Sequence, residues 1–245
     1  MEKYILIDRK MRQIEREYLE NLGYSLIEVK SNLNVYEEIS SHVDIVCSKV
    51  GDRIIAEECI YNILEKYGVK NLILGNDSVY SKYPLDIRFN VCIIGKNAIH
   101  NFKFTDIKLK EIITTEGFNL IDIKQGYSNC SIAVIDDNSA IVTDKKIAKK
   151  LEENNIEVLV IENLGKIKLL KNDGTYSNMH GFIGGCMARI QDKIVVFGDL
   201  TKIDKQGKIK QFIQSRYLTV VDFKDYGVID YGGFIEIWLL NKNNR

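Results

Sequence analysis

One short pattern recurs along this chain and limits what it can fold into more than any other feature. Each copy reads as strand, tight turn, strand, helix, strand. Self-similarity at a period of roughly 20–50 residues marks a repeat architecture. The clearest copy spans 131–161. Residues 131–135 are apolar and β-prone, 136–139 (Asp, Asp, Asn, Ser) are turn-forming, and 140–143 read as a second strand. Residues 144–154 then put Ile147, Ala148 and Leu151 on one helical face, and 156–161 read as a buried strand. Three further stretches repeat the pattern. Strands at 44–47 and 53–56 precede a helix at 57–67 and a strand at 71–74; strands at 91–94 and 98–99 precede a helix at 106–116 and a strand at 119–123. Strands at 187–190 and 193–197 precede a helix at 207–215 and a strand at 218–221.

The fifth copy is divided between the two ends. Residues 234–238 read as a first strand with nothing after it. Residues 4–7 read as a second strand, 8–22 as a helix with Met11, Ile14, Tyr18 and Leu22 on one face, and 24–29 as a closing strand. Pairing these segments completes a fifth unit, so the expected fold is an α/β five-unit βα-propeller forming one domain over 1–245. Closure into a ring leaves no unpaired edge strand. The alternative is a doubly wound α/β sandwich. It is disfavoured because no GxGxxG opens a helix, and because short paired strands read as hairpins, which a parallel sheet lacks.

Hydrophobic residues make up 45% of the chain, enough for a sizeable core without disulfide or metal. Lys plus Arg and Asp plus Glu each number 34, a formal net charge of zero. That argues against a nucleic-acid binder, which needs a basic face to displace counterions, and against a polybasic membrane anchor. No apolar run approaches the roughly 20 residues of a membrane helix. The opening residues turn charged too soon for a secretion signal, so a cytoplasmic location is expected. None of the five cysteines is in CxxC spacing and none of the three histidines in HExxH spacing, so no metal and no other cofactor is expected.

In a closed ring the residues just before each first strand converge at one mouth. They are polar or glycine-rich: His42 and Asp44; Asp86 and Asn90; Asn129, Cys130 and Ser131; His180, Gly184, Gly185 and Cys186; Asp230, Tyr231, Gly232 and Gly233. Convergent polar groups mark the default site. His42, Asp44, Asp86, Asn90, Gly184 and Gly185 are the candidate ligand-binding residues, the glycines through free N–H groups. Cys186, His180 and Cys130 are the candidate catalytic residues, because a nucleophilic thiol needs a base within reach. Cys47, Cys59 and Cys92, inside strands or a helix, read as small buried hydrophobes. Asp8, Glu57, Asp144 and Asp199 recur where second strands end, and read as helix N-caps outside the site.

On these residues the chain resembles the pentein superfamily, also called the guanidino-group-modifying-enzyme fold, and most nearly an uncharacterised bacterial branch of it. The resemblance is carried by His42-Val43-Asp44, Tyr83-Pro84-Leu85-Asp86 with Asn90, and Gly126-Tyr127-Ser128-Asn129-Cys130-Ser131. Gly181-Phe182-Ile183-Gly184-Gly185, Gly198-Asp199-Leu200 and Asp230-Tyr231-Gly232-Gly233 complete it. The superfamily includes arginine and agmatine deiminases, dimethylarginine hydrolases and amidinotransferases. The resemblance implies a guanidinium or amide carbon held between carboxylates and attacked by a cysteine, with a histidine as acid and base. In catalytic members the nucleophile precedes or opens the last unit's first strand. Here that place reads Tyr231-Gly232-Gly233-Phe234, so the family nucleophile does not carry over.

The expected function is therefore binding of a small guanidino-, amine- or amide-bearing metabolite at the channel mouth. Cysteine-dependent hydrolysis or amidino transfer of a C–N bond would proceed through Cys186 or Cys130. The expected partner is a small molecule, with no nucleic acid and no membrane. The alternative is a non-catalytic interaction protein, as in the ribosome-subunit anti-association factor of the same fold.

Overall fold

The computed structural model describes residues 2–30, 32, 34–162 and 165–239. The chain starts with β1 (Glu2–Asp8), α1 (Gln13–Asn21) and β2 (Ser25–Val29). A helical turn α2 (Val43–Val46) leads into β3 (Cys47–Val50), β4 (Arg53–Ala56), α3 (Glu58–Tyr67) and β5 (Leu72–Leu74). Next come β6 (Cys92–Ile94), β7 (Asn97–His100), α4 (Ile107–Thr115) and β8 (Asn119–Asp122). A second helical turn α5 (Ser128–Ser131) opens the set β9 (Ile132–Asp136), β10 (Ser139–Val142), α6 (Lys145–Glu152) and β11 (Glu157–Val160). A hairpin, β12 (Lys168–Leu170) and β13 (Tyr176–His180), precedes β14 (Met187–Ile190), β15 (Lys193–Val196), α7 (Lys208–Gln214) and β16 (Thr219–Val221). The last strand is β17 (Ile235–Leu239).

These elements form five three-stranded sheets of one design: β3-β4-β5, β6-β7-β8, β9-β10-β11, β14-β15-β16 and β17-β1-β2. In each, the middle strand pairs antiparallel with the first and parallel with the third. The fifth sheet joins the two ends of the chain, with Glu2 opposite Leu239 and Leu6 opposite Ile235. All five first strands wall one cavity of about 230 Å³, through residues that include Ser48, Ile93, Val134, Ala188 and Ile235.

The helices form where capping and apolar spacing require. Glu57 accepts from the Cys59 N–H at 2.8 Å, and Asp144 from the Lys146 N–H at 2.6 Å. Asp199 accepts from Thr201 N–H at 3.0 Å at the start of a short 3₁₀ turn. Each satisfies an orphan donor of a first turn. On α6, Ile147, Ala148 and Leu151 are buried, and they pack with Ile121 and Val142 across two sheets. Among the described residues, no helix is long and apolar enough to cross a membrane.

The structure departs from the sequence reading in four places. Residues 43–46 and 128–131 form helical turns, so the first strands of those units start at Cys47 and Ile132. A run of four buried residues such as 43–46 has no period that separates strand from helix. Helix α1 begins at Gln13, not near residue 8, and its buried residues are Glu15 and Leu19, while Ile14 is 37% exposed. Glu15 turns inward because its carboxylate accepts from the Tyr231 hydroxyl at 3.0 Å and the Arg12 N–H at 3.2 Å. The β12–β13 hairpin was not anticipated; it fills the widest gap between repeats. Asp8 ends β1 without capping α1, and its role lies in the site described below.

The closing strand should bear load. Ile237 is 3% exposed and packs in the largest core cluster. We expect Ile237→Ala to lower stability by about 2–5 kcal/mol, measured by urea unfolding. Trp238→Ala, on the half-exposed face of the same strand, should lose clearly less.

Candidate functional site

The helical turns α2 and α5 bring side chains from two units together below the ring's mouth. Turn α2 and the residue before it place His42 and Asp44; α5 places Asn129 and Cys130. The loop before β6 adds Asn90, and the loop before β17 adds Asp230. Asn90 is fully buried and joins them. Its amide Nδ2 donates to the Asp44 carbonyl at 3.2 Å and to Cys130 Sγ at 3.3 Å. Its Oδ1 accepts from the Asn129 and Cys130 N–H groups at 2.8 and 3.3 Å. The Cys130 thiol donates to Asp44 Oδ2 at 2.9 Å, and Asn129 Nδ2 donates to the same oxygen at 3.1 Å.

Asp230 lies across the floor. Its Oδ2 accepts from the Phe182 N–H at 2.8 Å and its Oδ1 from the Gly232 N–H at 2.9 Å. The hairpin steadies its backbone, because Asp230 N–H donates to the Lys168 carbonyl at 2.9 Å. Two glycines permit this packing. A Cβ on Gly185 would lie 1.8 Å from Asp230 Oδ1, and one on Gly232 would lie 2.5 Å from Asp44 Oδ1. Both are closer than any side-chain carbon tolerates.

His42, 1% exposed, stands between two carboxylates. Its Nε2 is 3.7 Å from Asp8 Oδ2 and its Nδ1 is 3.8 Å from Asp230 Oδ1. Neither nitrogen has a hydrogen-bond partner. Asp8 Oδ1 accepts from Ser41 Oγ at 2.6 Å and from the Lys10 N–H at 2.7 Å. The Lys10 ammonium, 4.0 Å from Asp8 Oδ2, donates to the Glu37 and Leu170 carbonyls at 3.0 and 3.1 Å. Asp8 Oδ2, Asp44 Oδ1 and Asp86 Oδ1 are buried with no partner.

A cleft of about 310 Å³ opens above this floor. His42, Cys130 and Asp230 face it from below; Tyr36, Tyr127 and Phe182 form aromatic walls. Tyr127 and Phe182 stack with centroids 6.0 Å apart. The Tyr127 hydroxyl donates to Asp86 Oδ2. Asp44 and Asn129 instead border the first-strand cavity on the other side of the floor.

Burial governs the electrostatics. It raises the Asp44 carboxyl to about 6, against the lowering effect of the Cys130 and Asn129 hydrogen bonds. It raises Asp230 to about 7, assisted by the negative charge of Asp44. Asp8 and Asp86 shift upward for the same reason. Burial holds His42 well below the usual imidazole range, with Lys10 adding to the effect. Burial and the Asp44 charge push the Cys130 thiol well up. These shifts disfavour charge where water is excluded.

The candidate residues therefore separate. Asp44, Asn90 and Cys130 meet in one hydrogen-bonded cluster with the unpartnered His42 ring beside it, and Asp86 is linked to the cleft through Tyr127. Cys186 does not join them. It is fully buried among Ile183, Met187, Val196 and Ile213, and its thiol donates to the Ile183 carbonyl at 3.2 Å. His180 ends β13, exposed at the rim of the cleft, and no hydrogen bond joins it to Cys186. Gly184 and Gly185 have no free N–H for a ligand, because both donate to the Cys130 carbonyl, at 2.6 and 3.2 Å. They hold α5 in place instead. The sequence places Asp230 at the mouth without a site role, reads Asp8 as a capping acid and gives Tyr127 no role. An acid directly before Tyr231-Gly232-Gly233 was a visible signal for Asp230; Asp8 had none, since its local context matches the capping acids. His42, Asp44 and Cys130 each offer one donor atom, within 4.8 Å of one another, as a group that could hold a metal ion.

The raised carboxyls make stability fall with pH. The folded state keeps protons on Asp44 and Asp230 that the unfolded chain releases near pH 4. Their contribution is full below the ordinary carboxyl range and is lost as pH rises through about 6 and about 7. Each unit costs about 1.4 kcal/mol per carboxyl so affected. Thermal melts should show Tm falling from about pH 6.5 to about pH 8, above the range in which His42 and His100, held neutral by burial, act in the opposite sense, and Asp44→Asn should flatten that slope. A Tm that climbs across the window contradicts this account.

Comparison with known proteins agrees with the fold. A family model described as "Family of unknown function (DUF6873)" matches residues 6–235. No curated protein matches by sequence. Among solved structures, a mutant DDAH from Pseudomonas aeruginosa complexed with citrulline is similar with a TM-score of 0.57 and 9% identity, over 91% of this chain and 92% of that one. Inosamine-phosphate amidinotransferase from Streptomyces griseus is similar with a TM-score of 0.54 and 12% identity, over 90% of this chain and 75% of that one. The architecture is the pentein fold.

Proposed function

This chain belongs to the DUF6873 family, and we propose that it binds a small molecule bearing a guanidino, amine or amide group in the cleft above His42, Cys130 and Asp230. One observation carries the reading: a cleft walled by Tyr36, Tyr127 and Phe182 ends on the buried carboxylate of Asp230. Planar N–H donors complement its oxygens, and the Tyr127 and Phe182 faces suit a flat cationic or amide group. The similarity to a DDAH complexed with citrulline and to an amidinotransferase supports the same ligand chemistry.

Binding is favoured over covalent catalysis. A nucleophilic cysteine needs a lowered thiol pKa, whereas burial and Asp44 push that of Cys130 up. Burial, followed by the charge of Asp230, does the same to Cys186. The place before β17 holds Tyr231, Gly232 and Gly233. Mass-mapped alkylation of the folded protein should therefore find Cys130 and Cys186 slow at both about pH 6 and about pH 8.5, where an unperturbed thiol becomes reactive. Fast labelling of Cys130 at the lower pH would restore the thiolate hydrolase or transferase.

Ligand binding is tested by thermal shift with arginine, agmatine and citrulline as probes. At least one should raise Tm, and the rise should be lost in both Asp230→Asn and Phe182→Ala. No shift with any probe, or a shift that survives both substitutions, removes the reading. The interaction-protein alternative is favoured by the hairpin, which presents Tyr176 and Met179 at 59% and 50% exposure. On that reading Tyr176→Ala with Met179→Ala abolishes partner capture, and the probes have no effect.

A further inference from the structure

We infer that the floor of the cleft is a binding site for one divalent ion of the zinc type, held by His42, Asp44 and Cys130. Two observations point to an absent occupant. The three donor atoms lie within 4.8 Å of one another, all buried. Both ring nitrogens of His42, and Asp44 Oδ1, are buried without any hydrogen-bond partner. Buried polar groups are almost always satisfied, and a metal ion would satisfy a ring nitrogen and a carboxylate oxygen together.

The donor set selects the ion. Thiolate, imidazole and carboxylate together suit zinc, whereas magnesium and calcium take oxygen alone. Zinc bonds of about 2.0–2.3 Å put tetrahedral donors roughly 3–4 Å apart. Donors spread over as much as 4.8 Å therefore have to close by up to about 1–2 Å to share one ion. The outer layer is already built. Whichever His42 nitrogen ligates, the other faces a carboxylate, Asp8 at 3.7 Å or Asp230 at 3.8 Å. Such a carboxylate behind a ligating histidine fixes its tautomer and strengthens it. Asn90 and Asn129 hold Cys130 and Asp44 in the same way.

Ligation replaces the bond that Cys130 S–H now makes to Asp44. A sulfur–metal bond forms, the S–H bond breaks, and its proton leaves to solvent. Three protein ligands leave a fourth position, and His42 and Cys130 both face the cleft. Water or a ligand oxygen would take it, as in catalytic rather than structural zinc sites. The inference goes beyond the small-molecule reading and is tested without any small molecule, so the two can fail separately. If both hold, an amide or another carbonyl compound would place its oxygen at the fourth position, with Asp230 left facing its N–H groups.

The test uses the full chain, reduced and stripped with a chelator. Cobalt(II) is titrated as a spectroscopic probe and then displaced by zinc. One equivalent should bind with a sulfur-to-cobalt charge-transfer band that zinc abolishes. Cys130→Ser should remove the band, His42→Gln should weaken binding at least about tenfold, and Cys186→Ser should change neither. X-ray absorption at the zinc edge of the wild-type protein reads the ligands without any variant; one sulfur with nitrogen or oxygen neighbours is expected. No band in the wild type, a band that persists in Cys130→Ser, or a shell of oxygen and nitrogen alone would overturn the site.

Discussion

Strand β1 lies between β17 and β2, and every other feature of the ring depends on that pairing. It joins residues more than two hundred positions apart, Glu2 to Leu239, so it carries a large loop-closure entropy. The return is the completion of a fifth three-stranded sheet and the convergence of five first strands on one cavity. Without closure, Asp230 before β17 would not face His42 and Asp44 before β3. The buried cluster is therefore a product of ring geometry, and no single repeat holds enough of it to act alone.

That cluster is unusual in its charge. Asp8, Asp44, Asp86 and Asp230 are all buried, which is costly for ionised carboxyls unless they are paired or hydrogen-bonded. The fold meets part of the cost with fixed donors: Ser41 Oγ, Asn129 Nδ2 and the Phe182 and Gly232 N–H groups. It leaves the rest as upward pKa shifts and unpartnered oxygens. A site in this condition favours occupants that bring positive charge or N–H donors. It disfavours a thiolate, which would add a further negative charge to the same floor. The same electrostatics argue against covalent chemistry at Cys130.

The hairpin between the third and fourth units gives the cleft its depth. It pairs with no sheet of the ring, yet Lys168 bonds to the chain on both sides of Ile229, and Ser177 Oγ donates to Glu38 Oε1 at 2.8 Å. Leu169 and Met179 line the cleft from this insert, and Tyr36 and Ile39 face it from the segment after β2. The ring supplies the polar floor, and these two additions supply apolar walls. The surface of the cleft is therefore set largely by segments outside the repeat.

The repeat, the split fifth unit and the mouth residues His42, Asp44, Asn90 and Cys130 were legible because their signals are local. Strand alternation, turn residues and capping acids act over a few positions. The helical turns at 43–46 and 128–131 were not legible, because a single four-residue turn is too short to show a backbone period. The β13 strand, mostly polar and exposed, carries no pattern to read. Asp8 and Asp144 end second strands in similar local contexts, yet one enters the site and the other caps a helix. Cys130 and Cys186 both precede first strands, yet only Cys130 meets Asp44, 86 positions away. Spacing motifs look for metal ligands or catalytic partners a few residues apart, and these are brought together only by ring closure. Local sequence specified the units and their order; which side chains share one buried floor was decided by long-range packing, because contact across a ring does not depend on distance along the chain.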